Sequence, residues 1–279
     1  MKIYAFADEA SSSMDGQIRA MKRNRMNGLE IRGTDSGNVS RIAVKDAREI
    51  AEKLRDNGLS VWSVGSPVGK IHIVNDDFGA HMDLFRHTLE VADALECKNI
   101  RMFSFYLPEG SDPALYRSEV IDRLSLMTEE AAAAGIFLCH ENEKGIYGDK
   151  AVRCADLLDA IPGLKCVFDP ANFIQCGQEI DEAWKLLGSR TYYMHIKDAL
   201  PDGSVVPAGK GSGLLPEILK DYKAMGGEHL TLEPHLRVFE GLKDLERDQK
   251  TEIPDYAYAS SDEAFDAAAS ALYSILETL

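Results

Sequence analysis

GIFLCHENEKGIYGDKAVRCADLLDAIPGLKCVFDPAN, residues 135–172, is the stretch that decides how the chain is read. It opens and closes on short apolar runs, GIFLCHE from 135 and LKCVFD from 164, with room between them for one helix. That is the pattern of a parallel βα unit. The pattern recurs outward in both directions. Runs rich in β-branched and aromatic residues begin near KIYAF at 2, GLEIR at 28, LSVWSV at 59 and NIRMFSF at 99, then TYYMHI at 191 and HLTLE at 229. Each interval holds one strand, one helix and two loops. Eight units in 279 residues predict one α/β domain over 1–279, a closed (β/α)8 TIM barrel. The competing open, doubly wound sheet lacks its signature, because the chain reads ADEASSS where G-x-G-x-x-G would follow the first strand.

The helical stretches carry their own punctuation. Ser40 is expected to cap a helix whose apolar face is Ile42, Ala43, Ala47, Ile50, Ala51 and Leu54, with Gly58 as its stop. Asp112 followed by Pro113 predicts another helix running through Leu124 to Gly135, and a last helix is expected near 261–279. No linker divides the chain. Residues 236–260 are too many for a tight βα connection and are expected to form a lid or interface segment.

Composition narrows the function classes. A net charge of −15 and a pI near 4.9 repel phosphate backbones, so nucleic acid is not an expected partner. No apolar run is long enough for a membrane span, and MKIYAFADEA has neither the basic flank nor the apolar core of a secretory signal. The expected compartment is the cytoplasm. Cys97, Cys139, Cys154, Cys166 and Cys176 are odd in number, widely spaced and without a Cys-x-x-Cys pair, which predicts small core residues rather than disulfides or structural zinc. A homodimer is the default expectation for a soluble enzyme.

Barrel enzymes place their chemistry at the carboxyl ends of strands. The last four strands each end on a residue able to bind a metal: Glu141 in CHENE, Asp169 in VFDPAN, His195 in MHIKD and Glu233 in TLEPH. Alternation tests whether these side chains converge. With the four pointing inward, Ile136, Leu138, Cys166, Phe168, Met194, Ile196, Leu230 and Leu232 point outward, an apolar set such as an outer helical layer requires. A lone Asp or Glu at a strand end is ordinarily a helix cap or a surface partner. Three carboxylates and an imidazole on successive strands, all of correct parity, instead suit one divalent cation, which would also relieve their mutual repulsion.

The ordered set HEN, FDPAN, HIKD and LEP resembles the xylose isomerase-like TIM-barrel superfamily of sugar and sugar phosphate isomerases and epimerases, inosose dehydratases and endonuclease IV-type repair enzymes. The likeness spans essentially the whole chain, including SPVGK after the third strand and IRMFSF in the fourth. It implies that Glu141, Asp169, His195 and Glu233 match the shared metal ligands, occupied by manganese foremost, or by magnesium, cobalt or zinc. In the ketose epimerase members two glutamates are also the acid/base pair, a role that would fall on Glu141 and Glu233. Many members carry a His three residues after the strand-six Asp. Here that position is Asn172, which resembles the pentulose-phosphate epimerases more than the free-sugar epimerases. The additional His ligands of a three-zinc cluster are not evident in the sequence.

The expected reaction is proton transfer at a carbon beside a carbonyl, through an enediolate, on a small sugar or sugar phosphate. Return of the proton to the opposite face gives epimerisation, and return to the neighbouring carbon gives isomerisation. Loss of hydroxide makes the protein a lyase of the inosose dehydratase type. Phosphoester hydrolysis and a non-catalytic sugar-binding barrel are further alternatives. Asn172, Lys197, His235, Ser66, Lys70 and Arg101 are the candidate substrate contacts, with Glu9 and Arg32 in the same strand-end pool. Lys197 is equally suited to a salt bridge with a neighbouring carboxylate. Trp62 and Phe103 are expected in the core or the pocket wall. The loop PAGKGSG (207–213) follows the seventh strand, where backbone N–H groups near Gly211 and Gly213 with Lys210 could bind phosphate, though a flexible connection is favoured.

Overall fold

The computed structural model describes residues 1–237 and 258–279. Most of the expected lid or interface segment at 236–260 lies outside the described residues. Eight parallel strands close into one barrel: β1 Lys2–Ala5, β2 Gly28–Ile31, β3 Ser60–Gly65, β4 Asn99–Met102, β5 Phe137–Glu141, β6 Lys165–Phe168, β7 Thr191–Ile196 and β8 His229–Leu232. They pair in chain order, and β1 closes the ring on β8 with Ile3 opposite Leu230. Closure removes both sheet edges. Each expected strand is present. Irregularities of register fall at Leu29/Glu30 and at Cys166/Val167.

Strand parity sorts the core as the alternation predicts. Ile136, Leu138, Cys166, Phe168, Met194, Ile196, Leu230 and Leu232 join one large apolar cluster with the surrounding helices. Cys139, Val167 and Tyr193, of the opposite parity, form a separate small cluster inside the barrel. All five cysteines are free, and four are buried.

Among the described residues the α-helices are α1 Met14–Arg23, α2 Val44–Asp56, α3 Phe78–Ala94, α4 Arg117–Ala133, α5 Ala151–Ala160, α6 Pro170–Gln175, α7 Ile180–Leu187, α8 Leu215–Ala224 and α9 Ser261–Leu276. The last begins with Ser260 as its N-cap, the Oγ accepting the Glu263 N–H at 3.1 Å, while Glu263 Oε2 reaches one residue further back to accept the Ala259 N–H at 2.7 Å. Two helix starts differ from expectation. Ser40 does not cap α2. Asn38 takes the Ser40 N–H at 3.0 Å and winds Val39–Arg41 into its own 3-10 turn, so α2 starts later, at Val44, with Ile42 still extended. Asp112 caps only the short turn Pro113–Leu115, and α4 begins afresh at Arg117. Gly58 does follow the end of α2, at φ +72°. Among the described residues, no helix is long and apolar enough to cross a membrane.

Candidate metal centre

Glu141 ends β5, His195 is the penultimate residue of β7, and Asp169 and Glu233 lie one residue beyond β6 and β8. All four are buried, and one ligand-type atom from each lies within 4.8 Å of the others. His195 is the hub. Its Nδ1 is 3.0 Å from Glu141 Oε1, 3.4 Å from Glu233 Oε2 and 4.0 Å from Asp169 Oδ2, while Nε2 faces Glu30 Oε2 at 3.1 Å.

Local chemistry holds the four side chains in place. Asn142 clamps β5 to β6: its Nδ2 donates to the Asp169 carbonyl and its Oδ1 accepts the Asp169 N–H, both at 2.9 Å. Asp169 divides its oxygens. Oδ1 caps α6 by accepting the Asn172 N–H at 2.9 Å, and Oδ2 is left for the cluster. The ordinary reading of a strand-end Asp as a helix cap is therefore realised by one oxygen alone. Asn172 Nδ2 donates to Glu141 Oε1 at 3.2 Å and to the Asn142 carbonyl at 2.9 Å. Arg101 Nε lies 3.2 Å from Glu141 Oε2, and Lys197 Nζ lies 2.9 Å from Asp169 and 3.0 Å from Glu233. Lys197 thus makes the salt bridge the sequence allowed, and it also lines the cavity.

The electrostatics are those of a charged cluster taken out of water. Burial raises the Asp169 carboxyl, which Lys197 lowers and Glu233 and Glu141 raise again, to about 7. Burial also opposes the charge on Glu233, but Lys197 and His235 outweigh it and hold that carboxyl well below the usual range. Burial works against an imidazolium, yet Glu141 and Glu30 keep His195 well above its ordinary value. Three carboxylates and an imidazole whose Nδ1 points among them, with Arg101, Lys197 and Arg32 each meeting the cluster from its edge, make a donor set that fits a divalent ion.

The strand-end pool divides. Arg32 pairs with Asp8 at 2.9 Å and Glu9 at 3.0 Å and reaches Glu233 Oε1 at 3.4 Å. His235, in the left-handed region at φ +45°, has its N–H accepted by Glu9 Oε2 at 2.6 Å and its Nδ1 3.5 Å from Glu233. Glu9, Glu233 and His235 form a second group of ligand-type atoms, but the Arg32 guanidinium already supplies its cation. Lys70 lies 3.1 Å from Glu143 and over the Phe103 ring. Arg32, Lys70, Arg101, Phe103, Lys197 and His235 all line one cavity of about 720 Å³ that opens from the cluster. Ser66 is not among the residues lining that cavity. Its hydroxyl donates to the Arg101 carbonyl at 2.6 Å and accepts the Val68 N–H. Trp62 stacks on His229 at 3.8 Å, beside the first residue of β8 and away from the mouth.

The 207–213 loop departs from both readings of it. Asp198 accepts the N–H groups of Gly209, Gly211 and Gly213 at 2.9, 3.0 and 2.8 Å. A carboxylate of the chain itself occupies the nest that a phosphate would need, and the connection is tied down rather than loose. Sequence reasoning also passed over Glu30, Asn142 and Glu143. For Glu30 the signal was present: in GLEIR, Leu29 and Ile31 share one face, and Glu30 and Arg32 the other.

The chain belongs to the xylose isomerase-like TIM barrel family, whose profile matches residues 18–253. No curated protein sequence matches it. Among solved structures it is similar to the probable 3-DHS dehydratase AsbF of Bacillus anthracis, at 15% identity and a TM-score of 0.74 over 98% of this chain and 99% of that one. It is similar to the IOLI protein, solved with a zinc atom, at 14% identity and a TM-score of 0.73 over 100% and 99% of the two chains. It is likewise similar to the 3-keto-D-glucoside 4-epimerase YcjR of E. coli, at 14% and 0.71 over 99% of each. At these identities the likeness speaks for the fold.

Proposed function

We propose that this barrel is a divalent-metal-dependent isomerase or epimerase that moves a proton on a sugar or sugar phosphate through an enediolate. The observation that carries the reading is the placement of Glu141 and Glu233. They stand on β5 and just beyond β8, both within 3.4 Å of His195 Nδ1, and both line the cavity. Two carboxylates at one buried site can take a proton from one face of a substrate carbon and return one to the other. Glu233, kept ionised by Lys197 and His235, is suited to accept the proton. Arg101 and Lys197 face the region where enediolate charge develops. Glu141, Asp169, His195 and Glu233 would hold the ion, manganese first among the candidates, with magnesium, cobalt or zinc able to use the same donors. When bound, it supplies Lewis-acid polarisation of the carbonyl.

One observation favours a second reading. The Lys197 ammonium sits 3.0 Å from Glu233, where it could protonate a departing hydroxyl and turn the same chemistry into a dehydration. A barrel of this fold is described as a probable dehydratase, and another as an epimerase.

Solvent exchange tests the proposal. Metal-loaded protein incubated in D₂O with a panel of ketoses, ketose phosphates and keto-inositols is expected to label a carbon-bound position, and new absorbance from an unsaturated ketone would select the dehydratase. Cleavage of phosphoesters without exchange would overturn both. Glu233→Gln should abolish exchange and lower the metal content measured by elemental analysis, and full occupancy in that variant would remove Glu233 from the ligand set.

A further inference from the structure

Glu30 is a fully buried carboxylate on β2 that the proposed chemistry does not use and that lies outside both groups of clustered ligand atoms. Such a charge is costly unless it is paired. Its partners are specific. Glu30 Oε2 meets His195 Nε2 at 3.1 Å, Oε1 accepts the Tyr193 hydroxyl at 2.9 Å, and Arg101 Nε stands 3.8 Å away. A neutral imidazole has one N–H and one lone pair, and the group facing one nitrogen decides which is which. An ionised carboxylate only accepts. Each group that meets Glu30 can donate, the Tyr193 hydroxyl, an imidazole nitrogen and a guanidinium N–H, so the geometry around it is that of an acceptor.

We propose that Glu30 is the positioning residue of this centre: it accepts the Nε2–H of His195 and thereby directs the Nδ1 lone pair at the metal. The inference rests on the reading that the four-residue cluster binds a divalent ion. The geometry requires nothing further, since Nδ1 already points among Glu141, Glu233 and Asp169. Tyr193 gives the arrangement its direction. With its hydroxyl fixed on Oε1, the carboxylate presents Oε2 to the ring, and Tyr193 is itself fully buried and packed against Cys139 and Val167.

The Glu30→Gln variant exposes the role. The Tyr193 hydroxyl would claim the amide oxygen, leaving the NH₂ to donate to His195 Nε2 and forcing the proton onto Nδ1, the nitrogen the metal needs. The zinc Kd, measured by competition with a chromophoric chelator, is expected to rise about 10- to 100-fold. Adding Tyr193→Phe frees the amide to turn its oxygen to the ring and should recover most of that loss. In the wild-type protein loaded with zinc, ¹⁵N spectra of the histidine rings should show Nε2 protonated and Nδ1 metal-bound. An unchanged Kd in a folded Glu30→Gln protein, or a ring proton on Nδ1, would overturn the role of Glu30 while leaving the metal centre intact. Wild-type protein that takes up no zinc would sink both.

Discussion

Lys197 is the residue on which the cluster as it stands and the proposed metal-loaded centre would make opposite demands. Its ammonium answers the charges of Asp169 and Glu233 at 2.9 and 3.0 Å, so without an ion it stabilises two buried carboxylates that would otherwise repel each other. A divalent cation among the same oxygens would be repelled by that ammonium at close range. Lys197→Met keeps the stem and removes the charge. We expect the metal-free variant to melt below the wild type, yet to bind the ion about tenfold or more tightly, because a like charge has left a low-dielectric site. Metal titration followed by thermal denaturation reads both effects, and equal or weaker binding would show that Lys197 does not share the ligands. The four clustered side chains were legible at this scale because each stands at or beside the end of its strand with the right parity. Glu30 was harder to see. A single carboxylate in a strand announces neither its hydrogen-bond partners nor which of two faces a distant histidine will turn.

The loops after the strands are the elements on which sequence and structure part. The eight strands could be found because apolar runs and their spacing are local properties. The start of α2 could not, since Asn38 competes with Ser40 through a side-chain bond that depends on the folded turn. The 207–213 loop carries the same lesson. Glycines that suggest phosphate binding are needed here for close approach: a Cβ on Gly211 or Gly213 would fall 2.3 or 2.6 Å from Asp198 Oδ1. Asp198 is one of two residues in a short strand paired to Val205–Val206, and its carboxylate gathers three N–H groups from the loop. Asp198→Ala would strand those donors at about 1–3 kcal/mol each, with partial repayment by water. The expected result is a lower Tm, with hydrogen exchange accelerated at Gly209, Gly211 and Gly213 but not in β5 or β6. Unchanged protection at the three glycines would mean that the loop is held by other contacts.

At the scale of the whole molecule, a closed barrel surrounds a buried cluster whose charge would be balanced differently with and without a divalent ion. The ring is completed outside the strands as well, where α9 packs on α1 and Arg23 pairs with Asp262 and Asp266. Stability and the proposed metal uptake would therefore be linked through protons. In the metal-free fold Asp169 is raised to about 7, against an ordinary aspartate near 3.8, chiefly by burial, and His195 is raised well above 6.5 by Glu141 and Glu30 despite its burial. Groups whose folded pKa is raised bind protons more tightly in the fold, so their contribution is fully present below the unfolded values and lost as pH rises through the folded ones. His140 has the opposite sign. Burial lowers it to about 3, so its contribution is present above 6.5 and lost as pH falls toward 3, which offsets Asp169 across the mildly acidic range. An ion bound there would have to displace the protons on Asp169 and His195, and its affinity should then increase with pH, by up to about tenfold per unit for each proton released. The increase in Tm produced by saturating manganese should accordingly be small near pH 5 and grow through pH 7 to 8, with proton release detectable by calorimetry in buffers of different ionisation enthalpy. A metal-induced shift that is constant from pH 5 to 8 would mean that the ion displaces no proton, and that the ligands are already charged as a metal requires before it arrives.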